Sequence, residues 1–320
     1  MILLLLGAYG VPIDGFPSHV ERELVLWTNA ARVAPEEFED SYNNAYEPCS
    51  YYENFSEDEQ DPKAPLYIDL DLTEVARVHS IDMHDNGCFQ HESCDGTDTF
   101  ERIGRYYDDT TNVGENIAYG SSDPYYMVMQ MWMCSDAGHR ANIMSGGFNE
   151  MGGGVKSDFM TQDFAGGSLE EGEPPVRVAV DIDDTWWADW GDSDAPAIFD
   201  VVIAGKARAM ELRHGDEANG IYAVEFDDIA DDTPWFVRWE TDDGARGTFP
   251  EEGSWISGAA SDDWEEGQDS LGGALDGLTD REKQQALLAD VRLTGCASVP
   301  GGSGIGGIAG LLLFLARRRR

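Results

Sequence analysis

Positive charge is scarce in this chain: 21 Lys and Arg stand against 62 Asp and Glu, a formal net charge of -41 over 320 residues. A field of that sign repels phosphate backbones and anionic headgroups, which argues against nucleic acid as a partner and implies a surface solvated for a salty medium. Cysteine is sparse as well. Five stand at 49, 88, 94, 134 and 296, with no C-x-x-C pair of the kind a zinc ribbon or thioredoxin-like site uses. Gly-x-Ser-x-Gly and His-Glu-x-x-His are both absent, so two familiar hydrolase signatures are missing. No uncharged apolar run reaches the roughly 20 residues that span a bilayer comfortably.

Aromatic side chain is plentiful, with nine Trp, twelve Tyr and thirteen Phe, enough to build two cores in a chain of this length. The expected organisation is two globular domains and a tail. Residues 1–10 open on Ile-Leu-Leu-Leu-Leu and read as a truncated signal peptide lacking its basic region, with a buried strand as the alternative. Residues 295–320 run from Gly295 and Cys296 through the uncharged stretch Ile305–Ala316 to four terminal arginines, a stop-transfer pattern. With these ends, an oxidising compartment and two disulfides are expected. Four cysteines in the first half allow three connectivities, of which Cys88 with Cys94 and Cys49 with Cys134 is preferred.

Along the first half, Ser18-His-Val-Glu21 forms a capping box before Val20, Leu24, Trp27 and Ala31 at helical spacing. Residues 36–65 are acidic and broken by proline, and predict a long loop. Asp71-Leu-Thr-Glu74 caps a second helix that buries His79 as a hydrogen-bonded imidazole, leaves His84 in solvent and stops at Gly87. Asp123-Pro124 starts a third, and Asn149–Ser157 with Phe159–Phe164 reads as a hairpin. Helices followed by strands define an α+β domain. From Val176 to Ile256 the period changes to alternation (Val176, Val178, Val180; Tyr222, Val224, Phe226; Trp235, Val237, Trp239). This predicts a small immunoglobulin-like β-sandwich over residues 175–256, with Trp186 and Trp187 packed in core or edge and His214 on a turn, followed by an acidic, glycine-rich linker over 257–294.

Several blocks then occur in order: His79-x-x-Asp82-Met83, Phe89-Gln-His91, Gly114-Glu115-Asn116-Ile117-Ala118, Trp132, Gly138-His139-Arg140-x-Asn142-Ile143-Met144, Gly152 to Gly154, and Thr161-Gln162-Asp163-Phe164. Together they resemble the CAP superfamily (SCP domain) of cysteine-rich secretory proteins, antigen 5 and pathogenesis-related proteins, in its bacterial branch. The resemblance covers residues 18–168. It implies an α-β-α sandwich with a cleft formed by His91, Glu115 and His139, and a second acidic position that is Ser135 here. Two imidazoles and a carboxylate can give two nitrogens and an oxygen to Zn2+ or another divalent cation, leaving a fourth position for water. Reversible metal binding without turnover is the leading expectation, with a lipid, sterol or glycan as further ligand. A zinc-dependent peptide or ester hydrolase using the same three residues, and a structural adhesin in which they only tie loops together, are the alternatives. A Cys88–Cys94 disulfide would pin the loop that presents His91. The tail resembles the MYXO-CTERM sorting signal, which implies processing and lipidation at Cys296 and an extracellular, cell-surface or outer-membrane-anchored protein; a plain membrane anchor is the alternative.

Overall fold

The computed structural model describes residues 17–43, 55–108, 111–135, 138–167, 173–231, 233–250 and 254–258. The expected signal peptide, Cys49, the linker beyond 258 and the sorting tail with Cys296 lie outside the described residues. Among these residues no helix is long and apolar enough to cross a membrane.

The first module contains α1 (His19–Val33), a 3-10 turn (Pro35–Phe38), α2 (Glu39–Asn43), α3 (Glu57–Gln60), β1 (Tyr67–Ile68), α4 (Leu70–Asn86), α5 (Thr99–Ile103), β2 (Val113–Tyr119), α6 (Pro124–Tyr126) running into a π-helix (Met127–Trp132), α7 (His139–Ile143), β3 (Glu150–Lys156) and β4 (Phe159–Ala165). Ser18 and Glu21 close the capping box of α1 as expected. The α4 cap is Asp69, two residues before the expected one, and Gly87 ends that helix in the left-handed conformation at φ 66°. The stretch read as one long loop carries short helices instead, because Pro35 can begin a helical turn and Ser56 with Glu59 forms a second capping box.

The four strands run in the order β1-β3-β4-β2, antiparallel except for β1 beside β3. Glycines on β3 set the distance to both neighbouring helices. A Cβ on Gly152 or Gly154 would lie 2.1 Å from backbone carbon of Leu72 or Ala76 in α4. On the opposite face, a Cβ on Gly153 would meet Glu21 O of α1 at 3.3 Å. The sheet is therefore held between α1 and α4.

The second module comprises β5 (Ala179–Ile182), β6 (Thr185–Gly191), β7 (Ile198–Ile203), β8 (Lys206–Ala209), β9 (Glu211–Gly215), β10 (Asn219–Glu225), β11 (Pro234–Glu240), β12 (Arg246–Phe249) and β13 (Trp255–Ile256). They form two antiparallel sheets, β5-β6-β10-β9 and β12-β11-β7-β8 with β13 also on β11. Strand alternation divides the first of these between two cores. Ala179, Trp186, Ala188, Trp190, Tyr222 and Val224 join Val201, Ile203, Trp235 and Val237 of the other sheet in one cluster. Val178, Val180 and Ile221 point the other way, into the core built on α1. Helix α1 is consequently covered on both sides, and even Glu21, Arg22 and Arg32 on it are buried.

Polar groups lock this junction. Asp189 is fully buried and accepts from Arg177 N (2.8 Å), Val178 N (2.9 Å) and Asn29 Nδ2 of α1 (2.8 Å). Trp187 is partly buried against Trp27, with ring centroids 5.5 Å apart. His214, expected on an open turn, stacks on Trp187 and bonds Glu37 at 2.9 Å, because its strand faces the first module. Burial pushes the Asp189 carboxyl up to about 6. Native protein then binds more protons than the unfolded chain between the usual carboxylate value near ~3.9 and about 6, so this residue's contribution is complete below that window and is lost as pH rises through it. Wild type minus Asp189→Asn, measured by urea unfolding, is expected to fall by on the order of 2–3 kcal/mol from pH 4 to pH 7. A flat difference would show that Asp189 does not titrate in that range.

Candidate functional site

Glu115 lies on β2 directly opposite Asp163 of β4, on the sheet face covered by α4. Its residue type and neighbours make it the centre of the site. Glu115 Oε1 accepts from His91 Nδ1 at 2.7 Å, Arg102 Nη2 donates to Oε2, and His79 Nε2 stands 3.9 Å from Oε2. The Glu115 and Arg102 side chains are 2% and 4% exposed, whereas that of His91 is 51% exposed, so the glutamate sits on the floor and the imidazole at the opening.

The loop carrying His91 is fastened at many points. Cys88 and Cys94 are joined by a disulfide, and Cys94 N donates to Asp82 Oδ2 at 2.7 Å. Thr99 Oγ1 and Arg102 Nη1 donate to His91 O at 2.7 and 2.9 Å. His79 is buried as expected, with Nε2 bonded to Gln90 O at 3.1 Å. Cys134 is disulfide-bonded too.

His139 begins α7 and is placed by a chain of buried amides. Thr28 Oγ1 of α1 accepts from Gln162 Nε2 (2.6 Å), and Gln162 Oε1 accepts from Asn116 Nδ2 (3.0 Å). Asn116 Nδ2 also donates to His139 O (3.1 Å), while Asn142 Nδ2 donates to Asn116 Oδ1 (2.9 Å). His139 Nδ1 is bonded to Ser135 Oγ at 3.0 Å. Thus Asn116, Asn142 and Gln162 of the sequence blocks do one job together.

His91 and His139 each have Nδ1 held by a protein oxygen, and among the described residues no protein group bonds Nε2 of either. The hydrogen bond that His91 donates to Glu115 raises the His91 pKa, and burial followed by repulsion from His91 lowers that of His139. Burial also keeps His79 low and holds the Asp163 carboxyl well above the usual range, reinforced by the Glu115 charge. His91, Glu115 and His139 do not bring one ligand atom each within 4.8 Å of one another; among the described residues the one group that tight is Asp82 with the disulfide-bonded Cys88 and Cys94. Beside the loop, Phe89 and Tyr119 are 47% and 54% exposed, and Tyr119 stacks on Phe159 with centroids 5.5 Å apart.

Sequence reasoning did not find Arg102 or Asp163 as site residues. Asp163 stood in a recognised block with no role assigned, and Arg102 lies outside every block. Glu115 lies in a strand, as the alternation of Glu115, Ile117 and Tyr119 against Asn116 and Ala118 allows.

A mainly antiparallel sheet between helices, with a histidine and carboxylate cleft on one face, defines an α+β domain. Residues 28–165 match the family model of CAP, the cysteine-rich secretory protein family. The chain is 36% identical over 104 residues to the uncharacterized protein YkwD of Bacillus subtilis (strain 168), covering 32% of this chain and 40% of that one. It is 35% identical over 101 residues to the uncharacterized membrane protein YlbC of the same organism, covering 32% and 29%. An extracellular protein containing a SCP domain from Bacillus anthracis str. Ames has a solved structure 35% identical to this chain, covering 32% of this chain and 34% of that one, with a TM-score of 0.31. The chain spans about two fifths or less of the length of these relatives.

Proposed function

We propose that this is a secreted, surface-anchored CAP protein whose cleft binds a divalent cation, Zn2+ by its nitrogen donors, through Nε2 of His91 and Nε2 of His139, without turnover. The observation that carries the reading is the pair of unbonded Nε2 atoms whose Nδ1 partners are fixed by Glu115 and Ser135. A carboxylate or hydroxyl behind an imidazole fixes the tautomer and ring orientation that a metal needs. Glu115 then serves as the orienting carboxylate of His91 and not as a third ligand, since Arg102 already holds its other oxygen. The exposed rings of Phe89 and Tyr119 give a lipid, sterol or glycan an apolar wall next to the cleft. Anchoring through the tail at Cys296, and a β-sandwich as spacer between cleft and cell surface, complete the proposal.

Calorimetric titration of the full chain with zinc tests it. One saturable site in wild type, weakened at least about tenfold in His91→Ala and again in His139→Ala, is expected. Equal binding in all three proteins would end the proposal. A second reading, the zinc-dependent hydrolase, is favoured by the exposure of His91 at the opening of the cleft, which leaves a cation held there a position for water. Turnover of peptide or ester probes that disappears in His139→Ala would establish it.

A further inference from the structure

Asp82, Cys88 and Cys94 bring a carboxylate oxygen and two sulfurs within 4.8 Å of one another, and all three residues are partly exposed. Joined as a disulfide, the sulfurs are neutral and already bonded. The cysteines are nevertheless thiols when the chain is synthesised, and the thiolate is the form that takes a metal. Zinc holds a thiolate at about 2.3 Å and a carboxylate oxygen at about 2.1 Å, so tetrahedral geometry sets two sulfurs about 3.8 Å apart and sulfur from oxygen about 3.6 Å. Both spacings fit within the cluster.

The course of the loop does not rest on the sulfurs. Cys94 N donates to Asp82 Oδ2 at 2.7 Å, Ser93 N to Thr97 O at 2.9 Å, and Thr99 Oγ1 and Arg102 Nη1 to His91 O. At its other end Gly87, in the left-handed conformation, turns the chain out of α4 directly before Cys88. The cysteine Cα atoms are 5.9 Å apart, and Cys94 Sγ lies 3.3 Å from Asp82 O. Reduction therefore leaves two thiols beside the end of α4 that carries Asp82. That carboxylate is oriented as a ligand requires: Asn86 Nδ2 donates to Oδ1 at 2.7 Å and Cys94 N to Oδ2, and each oxygen keeps a lone pair for a cation.

We propose that the reduced chain carries a metal site here, in which zinc is held by the Cys88 and Cys94 thiolates and the Asp82 carboxylate with water in the fourth position, and that disulfide formation abolishes it. Zinc then fastens the His91 loop to α4 in the reduced chain, as the disulfide does in the oxidised one. No imidazole takes part, so the site is independent of the cleft. The chemistry balances: a phosphine breaks the S–S bond and is oxidised to its oxide with an oxygen from water, leaving two thiols, and zinc releases their two protons to solvent.

Cobalt(II) is the probe, because thiolate ligands give it a near-ultraviolet charge-transfer absorption that imidazole and carboxylate ligands do not. Full chain reduced with a phosphine, and freed of it under argon, should bind one equivalent of cobalt with this absorption. Zinc should displace it, and the oxidised chain should show none. Cys88→Ser and Cys94→Ser should each remove the absorption, and Asp82→Asn should weaken cobalt binding at least about tenfold. A Cys49→Ala, Cys134→Ala, Cys296→Ala triple variant and a His91→Ala, His139→Ala double variant should both keep it, which separates the site from the other cysteines and from the cleft. Circular dichroism of the reduced wild type should match that of the oxidised chain. No absorption in reduced wild type, absorption that survives Cys88→Ser, absorption lost in the triple variant, or a reduced chain that has lost its helical signal would each overturn the proposal.

Discussion

Gly154→Ala is expected to yield no folded first module. The added methyl would stand 2.1 Å from Ala76 C and 2.2 Å from Arg77 N, and both are backbone atoms of a 17-residue helix that cannot move singly. Gly152→Ala meets Leu72 C and Thr73 N at the same 2.1 Å. Ordinary overpacking costs about 1–3 kcal/mol, while displacing a whole helix from its sheet takes the cost beyond about 4 kcal/mol, a large part of a typical domain's stability. The control lies between them in sequence. Gly153→Ala has 3.3 Å to Glu21 O and to a Leu24 methyl, so it should cost no more than about 2 kcal/mol. Circular dichroism with urea unfolding reads all three. Equal stability for Gly153→Ala and Gly154→Ala would mean that α4 does not sit where it is placed here.

Glu115→Ala should be the most damaging change in the cleft, and His91→Ala the mildest for stability. Removing the glutamate strands the Arg102 guanidinium, 4% exposed, above an already buried Asp163 and His79. Breaking a buried ion pair from one side costs about 3–5 kcal/mol. His91 is half exposed, and its loop is held by the disulfide, Asp82, Thr99 and Arg102 without help from its ring. Its loss should cost under about 1 kcal/mol. If His91→Ala destabilised as much as Glu115→Ala, the pair would be a structural tie and the metal reading would lose its basis. Glu115→Gln keeps an acceptor for one neighbour and should fall between the two.

Much of the first module was legible because its signals are local. Ser18 with Glu21, Gly87 in the left-handed conformation and Asp123 before Pro124 each act within one helical turn, and each stands where expected. The alternating runs around Val180, Val224 and Val237 likewise fall within strands. What escaped notice depends on distant pairing. Asp189 looks like one acid among 62 until β6 is laid on α1 and Asn29 reaches it. Arg102 reads as a surface charge on a short helix, yet its guanidinium passes beneath the His91 loop to Glu115. The burial of α1 on both sides was hidden for the same reason, since its second covering layer comes from residues about 150 positions later, Val178 and Val180 among them. His91 and Glu115, which meet at 2.7 Å, both stand in the sequence blocks, but Arg102, which occupies the other oxygen of Glu115, stands outside them.

The measurement closest to the central claim is two-dimensional NMR of the imidazole nitrogens in 15N-labelled full chain, with and without one equivalent of zinc. Metal-dependent shifts confined to Nε2 of His91 and Nε2 of His139, with both Nδ1 signals retaining their hydrogen-bonded character and His79 unmoved, are predicted. Shifts at His79, at either Nδ1 or at neither cleft histidine would contradict the account.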